Sequence, residues 1–238
     1  MKPKYKRVLV KISGEALAGE AGRGFDFGVI ENICLAIRDC VSMGVQIAVV
    51  VGGGNLWRGA KDGQGCVERT RADSMGMLAT AMNALAVTGT LEKAGVKAKA
   101  MTAVSVGPAA DLYARDKAVA LLEDGYTVIL GCGTGNPFFS TDTAAVLRGA
   151  ELDADMVLMA KNIDAVYTAD PRKDSEARKL ESISCSEILQ RELGVIDLTA
   201  AALAKSVGIP IMLFGIDDPK NICRAAEGQN TGTVITDR

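Results

Sequence analysis

The stretch Gly133-Thr134-Gly135-Asn136-Pro137-Phe138-Phe139-Ser140-Thr141-Asp142 sets two glycines, three hydroxyls, an amide and a carboxylate within ten residues. It leaves an apolar run and enters a segment of helical period. Glycines let a backbone come close to an anion, and hydroxyls with the free N–H groups of a helix start can hold its oxygens. The chemistry these types serve together is phosphate binding. Two more steps of the same kind occur upstream. Lys11-Ile12-Ser13-Gly14 ends the first apolar run and sets an ammonium where it can act on phosphate as a point charge, although a lysine at a solvated strand end fits that position too. Gly52-Gly53-Gly54-Asn55-Leu56-Trp57-Arg58-Gly59 follows the apolar run Ile47 to Val51. A short helix is expected to begin near Asn55, and Arg58, about one turn further on, is suited to phosphate oxygens.

The other polar candidates are more ambiguous. Asp73 falls near the start of a long helical segment, where it reads as a cap or dipole partner, or as a carboxylate for two ribose hydroxyls. Tyr167, in Lys161-Asn162-Ile163-Asp164-Ala165-Val166-Tyr167, offers a ring face to a base or packs as an ordinary half-buried tyrosine. Asp170-Pro171 makes a rigid turn, and Asp197 has the pattern of a helix N-cap.

The chain has 238 residues and no histidine, which excludes serine–histidine hydrolysis and histidine acid–base catalysis. Phosphoryl transfer onto a phosphate passes this filter, because the acceptor is already ionised near neutral pH and needs no general base. The cysteines, at 34, 40, 66, 132, 185 and 223, include no C-x-x-C pair. They are expected to be small apolar residues in a reducing compartment, and no residue is assigned as a protein metal ligand. No G-x-x-x-x-G-K-[ST] is present, and the glycines at 131, 133 and 135 follow the wrong strand for a dinucleotide fingerprint.

Positioning these residues requires a regular frame. Val8–Ile12, Gln46–Val51, Lys97–Met101, Thr127–Leu130, Met156–Met159 and Pro210–Phe214 read as strands, with Thr233–Thr236 as a closing one. Val29–Met43, Arg71–Ala94, Asp111–Glu123, Thr141–Leu152, Ser186–Glu192, Leu198–Val207 and Lys220–Ala226 read as helices. Strand and helix in alternation predict an α/β protein, a three-layer α/β/α sandwich around a mostly parallel sheet. The phosphate-binding steps then fall at the carboxyl ends of strands, where such folds bind ligands. Gly19 to Gly24 reads as a flexible loop, and the polar stretch Tyr167 to Glu181 as a surface loop. Met75, Met77, Leu78, Met82, Leu85 and Val87 make one helix apolar over more than one face, which predicts a homo-oligomer. The formal net charge of −2 gives no global attraction to nucleic acid or an anionic membrane. With neither a signal-peptide core nor an apolar run of membrane-spanning length, the expected location is cytoplasmic.

Taken in order, VKISGEAL at Val10–Leu17, GGGNLWRG at Gly52–Gly59, DSMGMLAT at Asp73–Thr80, Gly133–Asp142 and YTADP at Tyr167–Pro171 resemble the amino acid kinase family, in particular its members that phosphorylate UMP. The resemblance runs over essentially the whole chain. It implies a single amino acid kinase domain over 1–238, with roughly 1–150 for the acceptor and roughly 151–238 for ATP. The implied reaction moves the ATP γ-phosphate to UMP, giving UDP and ADP for pyrimidine nucleotide synthesis, with Mg²⁺ accompanying ATP.

By that resemblance Lys11, Ile12, Ser13 and Gly14 contact ATP phosphates, with Lys11 offsetting charge on the transferred group, while Gly54 and Arg58 hold the phosphates. Gly53, Asp73 and the run Thr134, Gly135, Asn136, Pro137, Phe138, Phe139, Ser140, Thr141 enclose UMP, with Asp73 on the ribose. Tyr167 and Asp170, with Lys161 and Asn162, hold the adenosine, and Asp142 and Asp197 organise lysine and metal. The segment Gly19, Glu20, Ala21, Gly22, Arg23, Gly24 matches one tied to GTP activation, in enzymes that are hexamers inhibited by UTP. An acetylglutamate or carbamate kinase, or a non-catalytic oxyanion-binding relative, remains the alternative. Asp73 and the hydroxyl-rich stretch favour a nucleotide acceptor.

Overall fold

The computed structural model describes residues 3–57, 66–169, 174 and 176–237. Arg58 and Asp170 lie outside the described residues. The elements run β1 (Arg7–Ile12), a 3₁₀ helix (Gly14–Ala21), α1 (Phe27–Ser42), β2 (Gln46–Val51), α2 (Arg69–Lys93), β3 (Ala98–Thr102) and β4 (Asp111–Leu112). They continue through α3 (Arg115–Glu123), β5 (Thr127–Gly131), α4 (Thr141–Glu151), β6 (Met156–Lys161), β7 (Ser182–Ile183) and α5 (Cys185–Gln190). The last four are α6 (Leu198–Val207), β8 (Ile211–Gly215), α7 (Asn221–Ala226) and β9 (Thr233–Ile235).

One sheet of order β4-β3-β5-β2-β1-β6-β8-β9-β7 carries the fold, and every pairing in it is parallel except β8 with β9. Helices cover both faces. This is the α/β sandwich that the alternating pattern predicts. β1 pairs with β2 on one side and β6 on the other, so the chain winds outward in both directions from β1. A crevice opens at such a switch point, beyond the strand carboxyl ends.

Side-chain parity decides which face each residue of β1 serves. Val8, Val10 and Ile12 pack with Ile33 and Ile37 of α1 and Ile222 of α7. Leu9 packs on the other face with Ala144 and Ala145 of α4 and Ala200 and Ala201 of α6. Lys11 shares the parity of Leu9, and Lys161 shares that of Val157 and Met159, which also belong to this second face. The alternation therefore sends both lysines to the side where α4 begins.

Two local expectations need correction. Asp111–Leu112 is an edge strand, not the start of a helix, and α3 begins at Arg115. Gly14–Ala21 consists of 3₁₀ turns interrupted at Gly19 (φ 55°, ψ −147°), so the Gly19–Gly24 segment begins at a break between helical turns and not as an open loop. The described residues of Tyr167–Glu181 are mostly exposed, as a surface loop should be, and Tyr167 bridges Lys179 there. On α2, Met75, Leu78, Met82 and Leu85 form one exposed apolar stripe, whereas Val87 is fully buried. Among the described residues, no helix is long and apolar enough to cross a membrane.

Candidate active site

At the carboxyl edge, the first two glycine steps lie back to back. A Cβ on Gly14 would meet Gly54 N at 2.5 Å and Gly52 O at 2.7 Å, so only glycine permits this approach. A reciprocal amide pair fixes the second step from below. Asn83 of α2 donates to Gly52 O at 2.6 Å and to Asn55 Oδ1 at 2.7 Å, and Asn55 donates to Asn83 Oδ1 at 3.0 Å and to Gly24 O at 2.8 Å. Asn83 is wholly buried, and the apolar neighbours around it in sequence hid it from the motif reading. The helix expected near Asn55 is a single turn in the described residues, with the N–H groups of Leu56 and Trp57 both on Gly53 O.

Two ammonium groups meet one carboxylate at the head of α4. Lys11 Nζ lies 2.8 Å from Asp142 Oδ1, and Lys161 Nζ binds the other oxygen, Oδ2. Lys161 also donates to Val195 O at 2.6 Å. Burial alone would push the Asp142 carboxyl up, but Lys11 and Lys161 outweigh it and hold it below the ordinary carboxylate value. Burial lowers the Lys161 ammonium, Asp142 opposes this, and the charge of Lys11 adds to the lowering. Two cations thus outweigh burial at the carboxylate, whereas at Lys161 burial, helped by the charge of Lys11, outweighs the single carboxylate. An incoming anion adds counter-charge at Lys161. Lys161, expected at the adenosine, thus has its ammonium on the carboxylate that also holds Lys11.

Ser140 caps α4 and Asp197 caps α6, and the Ser140 hydroxyl donates to the Asp197 carboxylate. Thr143 donates to the same carboxylate at 2.9 Å, and Ala200 N–H at 2.9 Å completes the cap. The N-termini of α4 and α6, each a partial positive charge, are therefore tied together next to the lysines. The Ser13 hydroxyl is buried at this edge without a hydrogen-bond partner among the described residues. A buried hydroxyl left so favours a ligand acceptor.

A cavity of about 230 Å³ adjoins this cluster. Gly53, Trp57, Asp73, Thr80 and Cys132 line it together with Gly133, Thr134, Asn136, Phe139, Ser140 and Thr141. Gly135, Pro137 and Phe138 of the same stretch do not. Gly135 turns toward Ala103, and the Phe138 ring lies beneath the Arg69 guanidinium, 5.4 Å from its centroid. The wall is made from strongly bent backbone. Gly133 and Gly135 have φ of 56° and 81°, and so do two non-glycine residues, Cys132 at 62° and Phe138 at 71°. Each of those two is held from α2: Cys132 N–H donates to Thr80 Oγ1 at 2.6 Å, and Phe138 N–H to Asp73 Oδ2 at 2.9 Å. Asp73 lies one turn inside α2 and pairs with Arg69, so it is not the helix cap its position in sequence allowed.

On the other side of β1, a cavity of about 560 Å³ is lined by Glu15, Gly19, Glu20, Asp26, Asn32, Asn162 and Asp217, among others. Asn162 and the start of the Gly19–Gly24 segment thus face one space. Tyr167 does not line it and donates to Asp164 Oδ1 at 2.9 Å. Ala21, Gly22, Arg23 and Gly24 do not line this space, and Gly24 N–H bonds Asn55 O at 3.0 Å instead.

The amino acid kinase family model matches residues 6–215. The structure of UMP kinase from Bacillus anthracis is similar at 35% identity and a TM-score of 0.94, covering 98% of this chain and 96% of that one. The structure of UMP kinase from Ureaplasma parvum is similar at 32% identity and a TM-score of 0.91, covering 98% and 99%. Uridylate kinase from Archaeoglobus fulgidus follows at 28% identity and a TM-score of 0.74, covering 96% and 99%. With a family match across most of its length and this site at the strand ends, the chain belongs to the amino acid kinase family.

Proposed function

We propose that this chain is a UMP kinase, transferring the γ-phosphate of ATP to UMP. The observation that carries the reading is the junction of the Lys11–Asp142–Lys161 cluster with the cavity walled by Asp73, Gly133, Thr134, Asn136, Phe139, Ser140 and Thr141. The first supplies positive charge for a moving phosphoryl group, and the second offers a site for a small acceptor bearing its own phosphate. Similarity over nearly the full length to UMP kinases from two bacteria supports the same acceptor.

In this reading UMP lies in the smaller cavity, its ribose hydroxyls on Asp73 and its phosphate on the head of α4 and the backbone after Cys132. The ATP phosphates lie over Ser13, Gly14 and Gly54, with Arg58 assigned to them by resemblance. Lys11 and Lys161 face the transferred group, Asp142 keeps both ammonium groups aimed, and Asp197 holds the helix starts in place. Asn162, Tyr167 and Asp170 serve the adenosine. The acceptor part is then roughly 1–150 and the ATP part roughly 151–238 of one domain over 1–238. Catalysis comes from positioning and charge: the UMP phosphate is largely dianionic near neutral pH, so it attacks without a base, and Lys11 stabilises the charge spread over the equatorial oxygens.

Among the described residues no three His, Cys, Asp or Glu side chains come together to hold a metal ion, and both Asp142 oxygens are engaged by lysines. In this reading Mg²⁺ is assigned to the substrate, as MgATP, as the family resemblance implies. We also assign the α2 stripe of Met75, Leu78, Met82 and Leu85 to a contact between copies in a cytoplasmic homohexamer. The Gly19–Gly24 segment is assigned to a response to GTP, with UTP as inhibitor.

The test is ADP release from ATP and Mg²⁺ with UMP, CMP, dTMP, acetylglutamate or carbamate as acceptor. Turnover with UMP far above the others is expected. No turnover with UMP sinks the proposal, and turnover with CMP alone redirects it.

A further inference from the structure

Helix α1 packs against α7, and at their contact two thiols meet: Cys40 Sγ donates to Cys223 Sγ at 2.9 Å. The other four cysteines make no sulfur–sulfur hydrogen bond among the described residues, and the reaction of UMP with ATP has no use for this pair. We propose that Cys40 and Cys223 are a redox modification site, forming a reversible disulfide when the protein meets a hydroperoxide.

The two residues differ in a way that sets the order of events. Cys40 is fully buried, whereas Cys223 is partly open to solvent and donates its own thiol to Ala36 O at 3.0 Å. The hydrogen bond from Cys40 draws the Cys223 thiol below its ordinary value, against burial and the Asp39 and Glu227 carboxylates that face the pair. Cys40, as the donor, is held well above the ordinary value. Cys223 is therefore the thiol that a peroxide reaches and oxidises first. Its sulfur attacks one peroxide oxygen, the O–O bond breaks, and Cys223 becomes a sulfenic acid with release of one water. The Cys40 sulfur then attacks the Cys223 sulfur, the S–O bond breaks, and the departing hydroxide takes the Cys40 proton to leave as a second water. Two thiols and one hydrogen peroxide thus give one disulfide and two waters.

The bond joins residues 183 positions apart in sequence, which restricts the unfolded chain strongly. It also ties together two walls of the larger cavity. Val29 and Asn32 come from α1, and Ile216, Asp217 and Pro219 lead into α7.

The test uses the full chain in a Cys66→Ser background, since Cys66 is exposed and would react on its own account. Hydrogen peroxide is added, remaining thiols are blocked by alkylation, and intact mass and peptides are read. The expected result is a loss of two hydrogen masses per chain, a Cys40–Cys223 peptide pair, reversal by dithiothreitol and a rise in Tm of roughly 5 °C or more. In Cys40→Ser, oxidation should stop at a Cys223 sulfenic acid that dimedone traps, and in Cys223→Ser, Cys40 should stay reduced. Both thiols remaining open to alkylation, a bond only between chains, or over-oxidation of Cys223 without a bond overturns the proposal. If either serine variant fails to fold, the peptide map of the parent decides.

Discussion

Asp73 on α2 accepts the backbone N–H of Phe138, 65 residues further along, at 2.9 Å. Phe138 sits at φ 71°, a conformation costing a non-glycine residue about 1–2 kcal/mol. The carboxylate therefore stabilises a bent wall that would otherwise relax, and it borders the acceptor cavity with its remaining capacity. Replacing Asp73 by alanine removes an acceptor of charge-assisted hydrogen bonds, worth about 1.5–3 kcal/mol each. The expected outcome is a KM for UMP raised roughly 10- to 100-fold, with kcat and the KM for ATP changed much less. Initial rates with UMP varied at saturating ATP read this directly, and an unchanged KM for UMP would remove Asp73 from the acceptor site.

Lys11 is expected to act on the transition state more than on binding, because charge on the transferred phosphoryl oxygens develops beside it. Lys11→Ala should lower kcat roughly 10²-fold or more, a loss of about 3 kcal/mol of barrier stabilisation, while the KM values move less. Asp142 keeps Lys161 in that variant, so the fold should survive and circular dichroism should match the parent. A Lys11→Ala protein that is folded and retains most of its kcat refutes the role.

The cluster gives two pH effects of different origin, one from the lysines around Asp142 and one from the burial of Lys161. The Asp142 carboxyl is held below its ordinary value of 3.8, so its contribution to stability is present above that pH and is lost as pH falls through the folded value. Acid unfolding of the parent should therefore show a component below pH 3.8 that Asp142→Asn lacks. The Lys161 ammonium is lowered from 10.5, so the folded chain gives up that proton before the unfolded one does, and stability from this group rises with pH up to 10.5. Activity moves the other way, since the phosphoryl group needs the charged form. The alkaline limb of kcat/KM should have an apparent pKa under 10.5 and should move upward in Lys161→Arg, whose guanidinium stays protonated. A limb at the same pH in both proteins assigns it to another group.

The frame was legible because its signals are local. Apolar runs such as Gln46–Val51 and helical periods such as Leu198–Val207 fall where the structure has them, and the glycine steps lie at strand ends as expected. The two-residue strands Asp111–Leu112 and Ser182–Ile183 escaped because they are defined by their neighbours across the sheet. The place of Lys161 is a tertiary fact of the same kind. Its sequence neighbours suit a turn near a base, yet parity on β6 turns its ammonium to α4 and Asp142. Thr80 closes the Asp73–Thr80 motif without showing a role in the sequence, and Asn83, an asparagine inside a helix, carries no motif. Their importance comes from Cys132 N–H and Gly52 O, which lie 52 and 31 residues away.

Glycine substitutions separate the contact of the two glycine steps from helix propensity in general. In Gly14→Ala the new methyl meets Gly54 N at 2.5 Å, Gly52 O at 2.7 Å and Asn55 Oδ1 at 2.8 Å. Two of these atoms are backbone and Asn55 is locked to Asn83, so no rotamer change can clear the space. Overpacking of this kind costs about 1–3 kcal/mol, and Tm should fall by roughly 2–4 °C for each. Because the strain is released by moving Gly52–Gly54, kcat/KM should fall as well. Gly89→Ala, in α2 with nothing within 4 Å of the added methyl, should instead raise stability by about 0.4–1 kcal/mol. Thermal melts of both variants beside the parent, with kcat/KM for each, give the comparison, and a Gly14→Ala protein as stable and as active as the parent shows that the two steps do not bear on each other.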